Sequence, residues 1–180
     1  MNPTFLDTAD PLPPRHRDGE LATRHAVPAD AAAVWRLVQG AGGLESNSAY
    51  AYVLLSDHFR DTCWVTLDGD ALAGFVAAYR PPRQPNTVFV WQIGVGVEWR
   101  GRGVAGELLH SLADGCGPQV RYLEATVTPD NAASERLFRG FARRRRAAVN
   151  VSEGYVASLF PDGRSQPERL FRIGPFGGET

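Results

Sequence analysis

The residues with the plainest chemistry lie in a short turn, Arg100-Gly101-Arg102-Gly103. An apolar run, Val88 to Val97, precedes it and reads as a buried strand. A helical pattern follows at once, with Val104, Leu108 and Leu112 on one stripe and Ala105 and Leu109 beside it. A chain that runs from a strand through a tight turn into a helix leaves the first helical N–H groups without partners. Those donors and the positive end of the helix dipole attract an anion. Glycine lets the backbone come close to that anion, because no Cβ intervenes. The stretch predicts a cradle for a pyrophosphate, set against the plainer reading of a glycine turn between core elements. It is not a dinucleotide fingerprint, because the G-x-G-x-x-G spacing and a downstream ribose-binding acid are not both present. No Gly-Lys-Ser/Thr occurs, so it is not a Walker loop either.

The elements around this turn form one ordinary domain in 180 residues, with 43% hydrophobic residues for its core. Residues 1 to about 20 are rich in Pro, Asp and Arg and lack periodicity, which predicts a disordered tail ahead of a single domain over 21–180. A short strand is expected at 21–27. Pro28 suits the first turn of a helix buried through Val34, Leu37 and Val38 and ended by Gly40, Gly42 and Gly43. Ser46, Asn47 and Ser48 are good caps for a second helix, Tyr50 to Phe59. A hairpin follows over 62–80, turning at Asp68-Gly69-Asp70. After the central strand and helix, Val120 to Val127 is a strand, and Thr128 and Pro129 are expected to cap and open a last helix. Ala147 to Val151 and Leu170 to Ile173 read as late strands. The net charge of −1 suggests neither nucleic acid nor an anionic membrane surface as a partner. No apolar run approaches the ~20 residues of a membrane span. The start lacks the apolar segment of a secretory signal, and Cys63 and Cys116 suggest no disulfide framework. A cytoplasmic protein is expected.

Placed after a strand and before an amphipathic helix, Arg100-Gly101-Arg102-Gly103-Val104-Ala105 resembles the Arg/Gln-x-x-Gly-x-Gly/Ala signature of the GNAT superfamily, the acyl-CoA-dependent N-acetyltransferases. That resemblance implies an α/β fold with a mixed, twisted sheet and helices on both faces. The element order β-α-α-β-β-β-α-β-α-β-β agrees with it. Longer strings are similar to one GNAT family, the L-2,4-diaminobutyrate acetyltransferases of ectoine biosynthesis. They are Asn47-Ser48-Ala49-Tyr50, Phe89-Val90-Trp91-Gln92, the run from Tyr122 to Asn131, and Leu170-Phe171-Arg172-Ile173-Gly174-Pro175-Phe176. They extend over nearly the whole folded part. The resemblance implies transfer of the acetyl group of acetyl-CoA to the γ-amino group of L-2,4-diaminobutyrate, a step towards a compatible solute used in osmoadaptation. It also implies a homodimer with the late strands near the interface, and no metal.

Carried over by position, the substrate residues of that family become Glu45, Tyr50, Trp91 and Glu168, with Asn47 in the same string. Two departures stand out. Glu45 occupies a position more usually Asp, and Ser165 stands where the family often has His. The superfamily resemblance places the pantetheine like an added strand along Ile93, Gly94 and Val95, with the N–H of Ile93 or a nearby residue facing the thioester. It places the phosphates on Arg100, Gly101, Arg102, Gly103, Val104 and Ala105, and further coenzyme contacts at Asn131 and Ser134.

Each assignment has a plainer alternative. Glu45 fits a helix-start acid, Glu168 a solvated loop acid, Trp91 core packing, and Tyr50 a core-edge residue. Asn131 and Ser134 also fit helix capping. Glu124 alternates with Leu123 and is either a buried base or a sheet-face ion-pair partner. With Glu45 and Tyr50 it completes the catalytic candidates. Many GNAT enzymes carry a Tyr general acid in a Leu-Tyr pair; here the pair is Leu137-Phe138, and Phe cannot protonate a thiolate. Arg143 to Arg146 are read as a solvated helix end complementing the dipole rather than a grip on the CoA 3′-phosphate. His58 and Cys63 are discounted as a nucleophile pair, and His16, His25 and His110 show no metal spacing. Two other functions stay open: acetylation of another small amine such as a polyamine or amino acid, and a non-catalytic acyl-CoA-binding module.

Overall fold

The computed structural model describes residues 20–41, 47–161 and 166–176. The expected tail, Glu45 and Ser165 lie outside these residues. The chain forms β1 (Leu21–His25), α1 (Ala31–Ala41), α2 (Ala49–His58), β2 (Cys63–Asp68), β3 (Ala71–Tyr79), β4 (Thr87–Val95), α3 (Val104–Gly115), β5 (Tyr122–Val127), α4 (Ala132–Arg145), β6 (Val149–Glu153) and β7 (Arg169–Ile173). This is the element order expected from the sequence.

The strands make one sheet in the order β1-β2-β3-β4-β5-β7-β6. Neighbours are antiparallel except β4 and β5, which run parallel. Alternation along β3 sends its side chains to two cores. Phe75 and Ala77 pack with Val34, Val38 and Tyr52 of α1 and α2. Val76 and Ala78 join Leu108, Leu109 and Leu112 of α3, Leu123 of β5 and Phe138 and Phe141 of α4 on the opposite face. Burying each such large side chain is worth about 1.5–3 kcal/mol. Gly74 allows α3 to close on the sheet, because a Cβ there would lie 2.9 Å from the Gly94 carbonyl oxygen and 3.0 Å from Val104.

Several boundaries differ from expectation for physical reasons. Pro28 opens a 3₁₀ turn, Pro28–Asp30, and the α-helix begins only at Ala31. β4 stops at Val95, since Val97–Trp99 form another 3₁₀ turn. Ser48 caps α2, accepting from the Ala51 N–H. The last helix is not capped by Thr128. Thr128 Oγ1 instead donates to Asp130 Oδ1 at 2.7 Å, and Asn131 Oδ1 accepts from the Ser134 N–H at 3.0 Å. A carboxamide at Asn131 thus supplies the acceptor that the first turn lacks, and α4 begins three residues beyond Pro129, at Ala132.

Candidate active site

The site arises where the sheet opens. β4 and β5 pair only from Thr87–Tyr122 to Val90–Ala125. Just beyond, Ala77 of β3 faces Gln92 while Ala78 faces Val90, so Trp91 is the extra residue of a β-bulge. The bulge turns Trp91 out of the core, leaving it 39% exposed. It lines a cavity of about 290 Å³ in the gap, together with Asn47, Ile93, Thr126, Phe138 and Glu168. Beneath it, Tyr52 Oη donates to Gln92 Oε1 at 2.8 Å, both groups being buried. Tyr52 also sits 6.2 Å from the Trp91 ring.

The backbone of β4 beyond the bulge is turned to the gap. The Gly96 N–H donates to the Ala73 carbonyl of β3 at 2.9 Å. With period-two alternation, the Gly94 amide also faces β3, and those of Ile93 and Val95 point away from it. The Arg100 Nε contact to the Val95 carbonyl, 3.4 Å, lies on that open side. The strand therefore offers main-chain donors and an acceptor to an extended ligand.

A second cavity, about 770 Å³, continues from Ile93, Gly94 and Val95 past Arg100, Gly101 and Ala105 to Asn131 and Ser134 of α4. Gly101 and Gly103 have φ of +78° and +83°, the left-handed region in which an L side chain is strained. Trp99 is buried beneath this turn, and its Nε1–H donates to Asp68 Oδ2 at 2.9 Å. Asp68 is 3% exposed, at the end of β2. The Arg102 guanidinium stands 4.0 Å from the same oxygen. The anion-binding turn is thereby tethered to the β2–β3 hairpin.

The sequence-derived site residues sort as follows. Ile93, Gly94, Val95, Arg100, Gly101, Ala105, Asn131 and Ser134 line the long cavity, and Gly103 and Val104 line its continuation along α3. Arg102 lines neither and is drawn back towards Asp68. Asn47, Trp91 and Glu168 meet in the gap. Tyr50 is 67% exposed on the first turn of α2 and does not line the gap. The buried tyrosine beside Trp91 is Tyr52. Glu124 is 5% exposed, and its carboxylate accepts from Arg172 Nη1. It lies outside the cleft lining, in an ion pair of the kind expected as the alternative to a base role. Asn131 both caps α4 and lines the cavity. Phe138 is buried at the gap, 6.4 Å from Phe171, and no proton donor stands in its place. Burial holds the Cys63 thiol up at about 11, and His58 stands beside Asp57 on the surface, so they form no nucleophile pair. Among the described residues no cluster of His, Cys, Asp or Glu is arranged to hold a metal, and no helix is long and apolar enough to cross a membrane.

Thr128, Arg136 and Leu137 were not expected at the long cavity. For Arg136 and Leu137 the signal was their spacing of three and four residues from Ala133 on one face of α4; Thr128 precedes the helix and had none. Gln166 also lines the gap, and its Nε2 donates to Asp130 Oδ2 at 2.8 Å. Hydrogen bonds from Thr128 and Gln166 hold the Asp130 carboxyl below its usual pKa.

Residues 32–141 match the acetyltransferase (GNAT) family model. The chain belongs to the GNAT family. Within it, the chain is 46% identical to an L-2,4-diaminobutyric acid acetyltransferase of Marinococcus halophilus over 149 residues, covering 82% of this chain and 86% of the relative. It is 40% identical to the enzyme of that name from Halomonas elongata over 163 residues, 89% of this chain and 84% of that one. The diaminobutyrate acetyltransferase EctA of Paenibacillus lautus, solved with L-2,4-diaminobutyric acid and coenzyme A, superposes with a TM-score of 0.84 at 41% identity, covering 90% of this chain and 99% of that one. Ard1 from Thermoplasma volcanium, at 17% identity and a TM-score of 0.68 over 86% of this chain and 97% of its own, shares the GNAT fold.

Proposed function

We propose that this GNAT enzyme transfers the acetyl group of acetyl-CoA to the γ-amino group of L-2,4-diaminobutyrate, giving γ-N-acetyl-diaminobutyrate for ectoine biosynthesis. The observation that carries this reading is the continuous opening from Trp91 and Glu168, along the free edge of β4, to the glycine turn. A thioester carrier fits along it with its acyl carbon beside a carboxylate and an aromatic face, the pair suited to an ammonium guest. Relatives that act on diaminobutyrate supply the substrate.

The neutral amine attacks the thioester carbonyl, forming the C–N bond, and its proton leaves to water or to a carboxylate at the site. The Ile93 N–H stabilises the tetrahedral oxyanion. The C–S bond then breaks, and the CoA thiolate takes a proton from solvent, since Phe138 holds no acid. Glu168, with Glu45 as the family resemblance implies, neutralises the ammonium groups of the substrate. Trp91 packs over the cation, and Asn47 orients it. Glu124 stays with Arg172 and takes no part in proton transfer. The enzyme works in the cytoplasm as a homodimer, with β6 and β7 towards the interface, and needs neither nucleic acid nor membrane; light scattering on the purified protein tests the assembly.

The deciding assay follows thiol release from acetyl-CoA with a panel of amines. Turnover with diaminobutyrate well above ornithine, lysine and putrescine supports the proposal, and product NMR should show γ-acetylation. Comparable rates across the panel point to a broader small-amine enzyme. The phenylalanine at position 138 favours one further reading, an acyl-CoA-binding module, which predicts coenzyme binding without thiol release.

A further inference from the structure

Glu168 is seated by contacts that its own side chain does not make. Gln166 and Arg169 flank the pair Pro167-Glu168, and both reach to the start of α4. Gln166 Nε2 donates to Asp130 Oδ2 at 2.8 Å, and Arg169 Nη2 donates to Glu135 Oε2 at 3.0 Å. These two side-chain bonds act as pins. The main chain between them is held from the end of β6. The Glu168 N–H donates to the Tyr155 carbonyl at 2.8 Å, and the Glu168 carbonyl accepts from the Gly154 N–H at 2.9 Å. The two segments run flush, because a Cβ on Gly154 would lie 2.7 Å from that carbonyl oxygen. Pro167 adds a fixed φ in the middle of the pinned segment.

The anchors are themselves fixed. The second oxygen of Asp130, Oδ1, accepts from Thr128 Oγ1 at 2.7 Å. Glu135 also accepts, through Oε1, from Arg139 Nε at 2.9 Å. Arg139 and Arg169 both lie over the buried Phe171 ring, 5.7 and 5.6 Å from its centroid. Bonds closed on one another in this way hold a geometry better than one exposed pair does.

The place of these anchors matters, because α4 begins where the two openings meet. Thr128, Asn131 and Ser134 line both the gap at Trp91 and the long cavity. One helix start therefore borders the path of the coenzyme and also fixes the carboxylate of the gap. A carboxylate pinned there stands at a set distance from the acyl carbon. A diamine whose ammonium meets Glu168 then brings its other nitrogen to the thioester only when its chain has the matching length.

We propose that Asp130 and Glu135 are positioning residues that, through Gln166 and Arg169, hold Glu168 at a fixed reach and so select the length of the diamine. This deepens the acetyl-transfer reading above and rests on it.

The test compares kcat/KM for diaminobutyrate and for ornithine, its longer homologue, in pinned and unpinned forms of the full chain. Gln166→Met removes the donor at similar length. Glu135→Ala removes the acceptor and installs a better helix former. Each should raise the KM for diaminobutyrate about three- to tenfold, the scale of one positioning hydrogen bond. The preference over ornithine should narrow by a similar factor, with the KM for acetyl-CoA within about twofold of wild type. Glu135 lines neither cavity, so its effect does not come from touching a substrate. Glu135→Gln, which retains an acceptor for Arg169, should restore the preference. Arg139→Gln, which leaves both pins in place, should keep it. A preference unchanged in both unpinned variants, or lost equally in Arg139→Gln, overturns the proposal. Hydrogen exchange over residues 166–169 reads the pins with no substrate present. It should quicken in Gln166→Met and Glu135→Ala but not in Arg139→Gln; unchanged protection in both unpinned variants also overturns the proposal. A wild type that shows this exchange pattern yet releases no thiol with diaminobutyrate would sink the acetyl-transfer reading while upholding the pins.

Discussion

Glu168 is the described carboxylate nearest to the role the amine demands, since it lines the gap with Trp91 and Asn47. Its replacement by Gln keeps the shape and hydrogen-bonding reach but removes the charge. Losing a partly screened ion pair to the substrate should cost about 1.5–3 kcal/mol, which is ten- to a hundredfold in kcat/KM for the amine. The KM for acetyl-CoA should stay within twofold, because the coenzyme runs along β4 and α3. Steady-state kinetics with each substrate varied in turn measures the split; equal increases in both KM values would take Glu168 out of the amine site. Tyr50 and Tyr52 show how fine this scale is. They lie two residues apart in one helix, yet Tyr50 faces solvent while Tyr52 is buried against Gln92. Position in a string selects the segment; the helical turn decides which ring meets the site.

At the scale of elements, the anion-binding turn is held from behind. Asp68 closes β2, and its carboxylate receives the Trp99 indole N–H and stands near Arg102. Asp68→Asn keeps the volume and one acceptor but removes the buried charge. It should cost about 1–3 kcal/mol of stability and raise the KM for acetyl-CoA several-fold, leaving the KM for the amine unmoved. Chemical denaturation and the same kinetics report both; a variant that is destabilised with an unchanged coenzyme KM would make Asp68 a fold residue only. The α3–α4 contact carries a pH dependence of its own. Burial, followed by the nearby Arg145 and Arg144 charges, lowers the His110 pKa below its usual 6.5, against the opposing pull of Glu107 and Asp114. The folded state prefers neutral His110, whose Nδ1 accepts from Arg145. Its contribution is full above about pH 6.5 and is lost as pH falls from there through the lowered folded pKa. His110→Gln should flatten the fall of Tm below about pH 6.5, followed by calorimetry in matched buffers; an unchanged slope would assign that acid sensitivity elsewhere.

At the scale of the whole molecule, what was legible in the sequence was whatever repeats with a fixed period or sits in a contiguous string. The buried stripe Val104, Leu108, Leu112 and the turn at Arg100–Gly103 could be read because their neighbours in space are neighbours in the chain. The bulge at Trp91, the Asp68 tether and the parting of β4 from β5 depend on strand register, which no single segment encodes. Thr128 and Pro129 looked like a helix start because their types fit one, but Asn131 offered the better acceptor three residues on. The same long-range register divides the molecule. β1–β4 and β5–β7 form two halves of one sheet, joined at the β4–β5 ladder only from Thr87–Tyr122 to Val90–Ala125. The coenzyme cavity is built from both, with β4 and α3 on one side and α4 on the other. A ligand bound there stabilises the folded chain by mass action, about 2.7 kcal/mol at a hundred times its Kd. For a domain of this size that corresponds to a rise in Tm of roughly 5–10 °C. Calorimetric melts over a CoA titration, with Kd measured separately, should follow this logarithmic rise; a flat Tm at saturating CoA would mean that the coenzyme does not bind across the two halves.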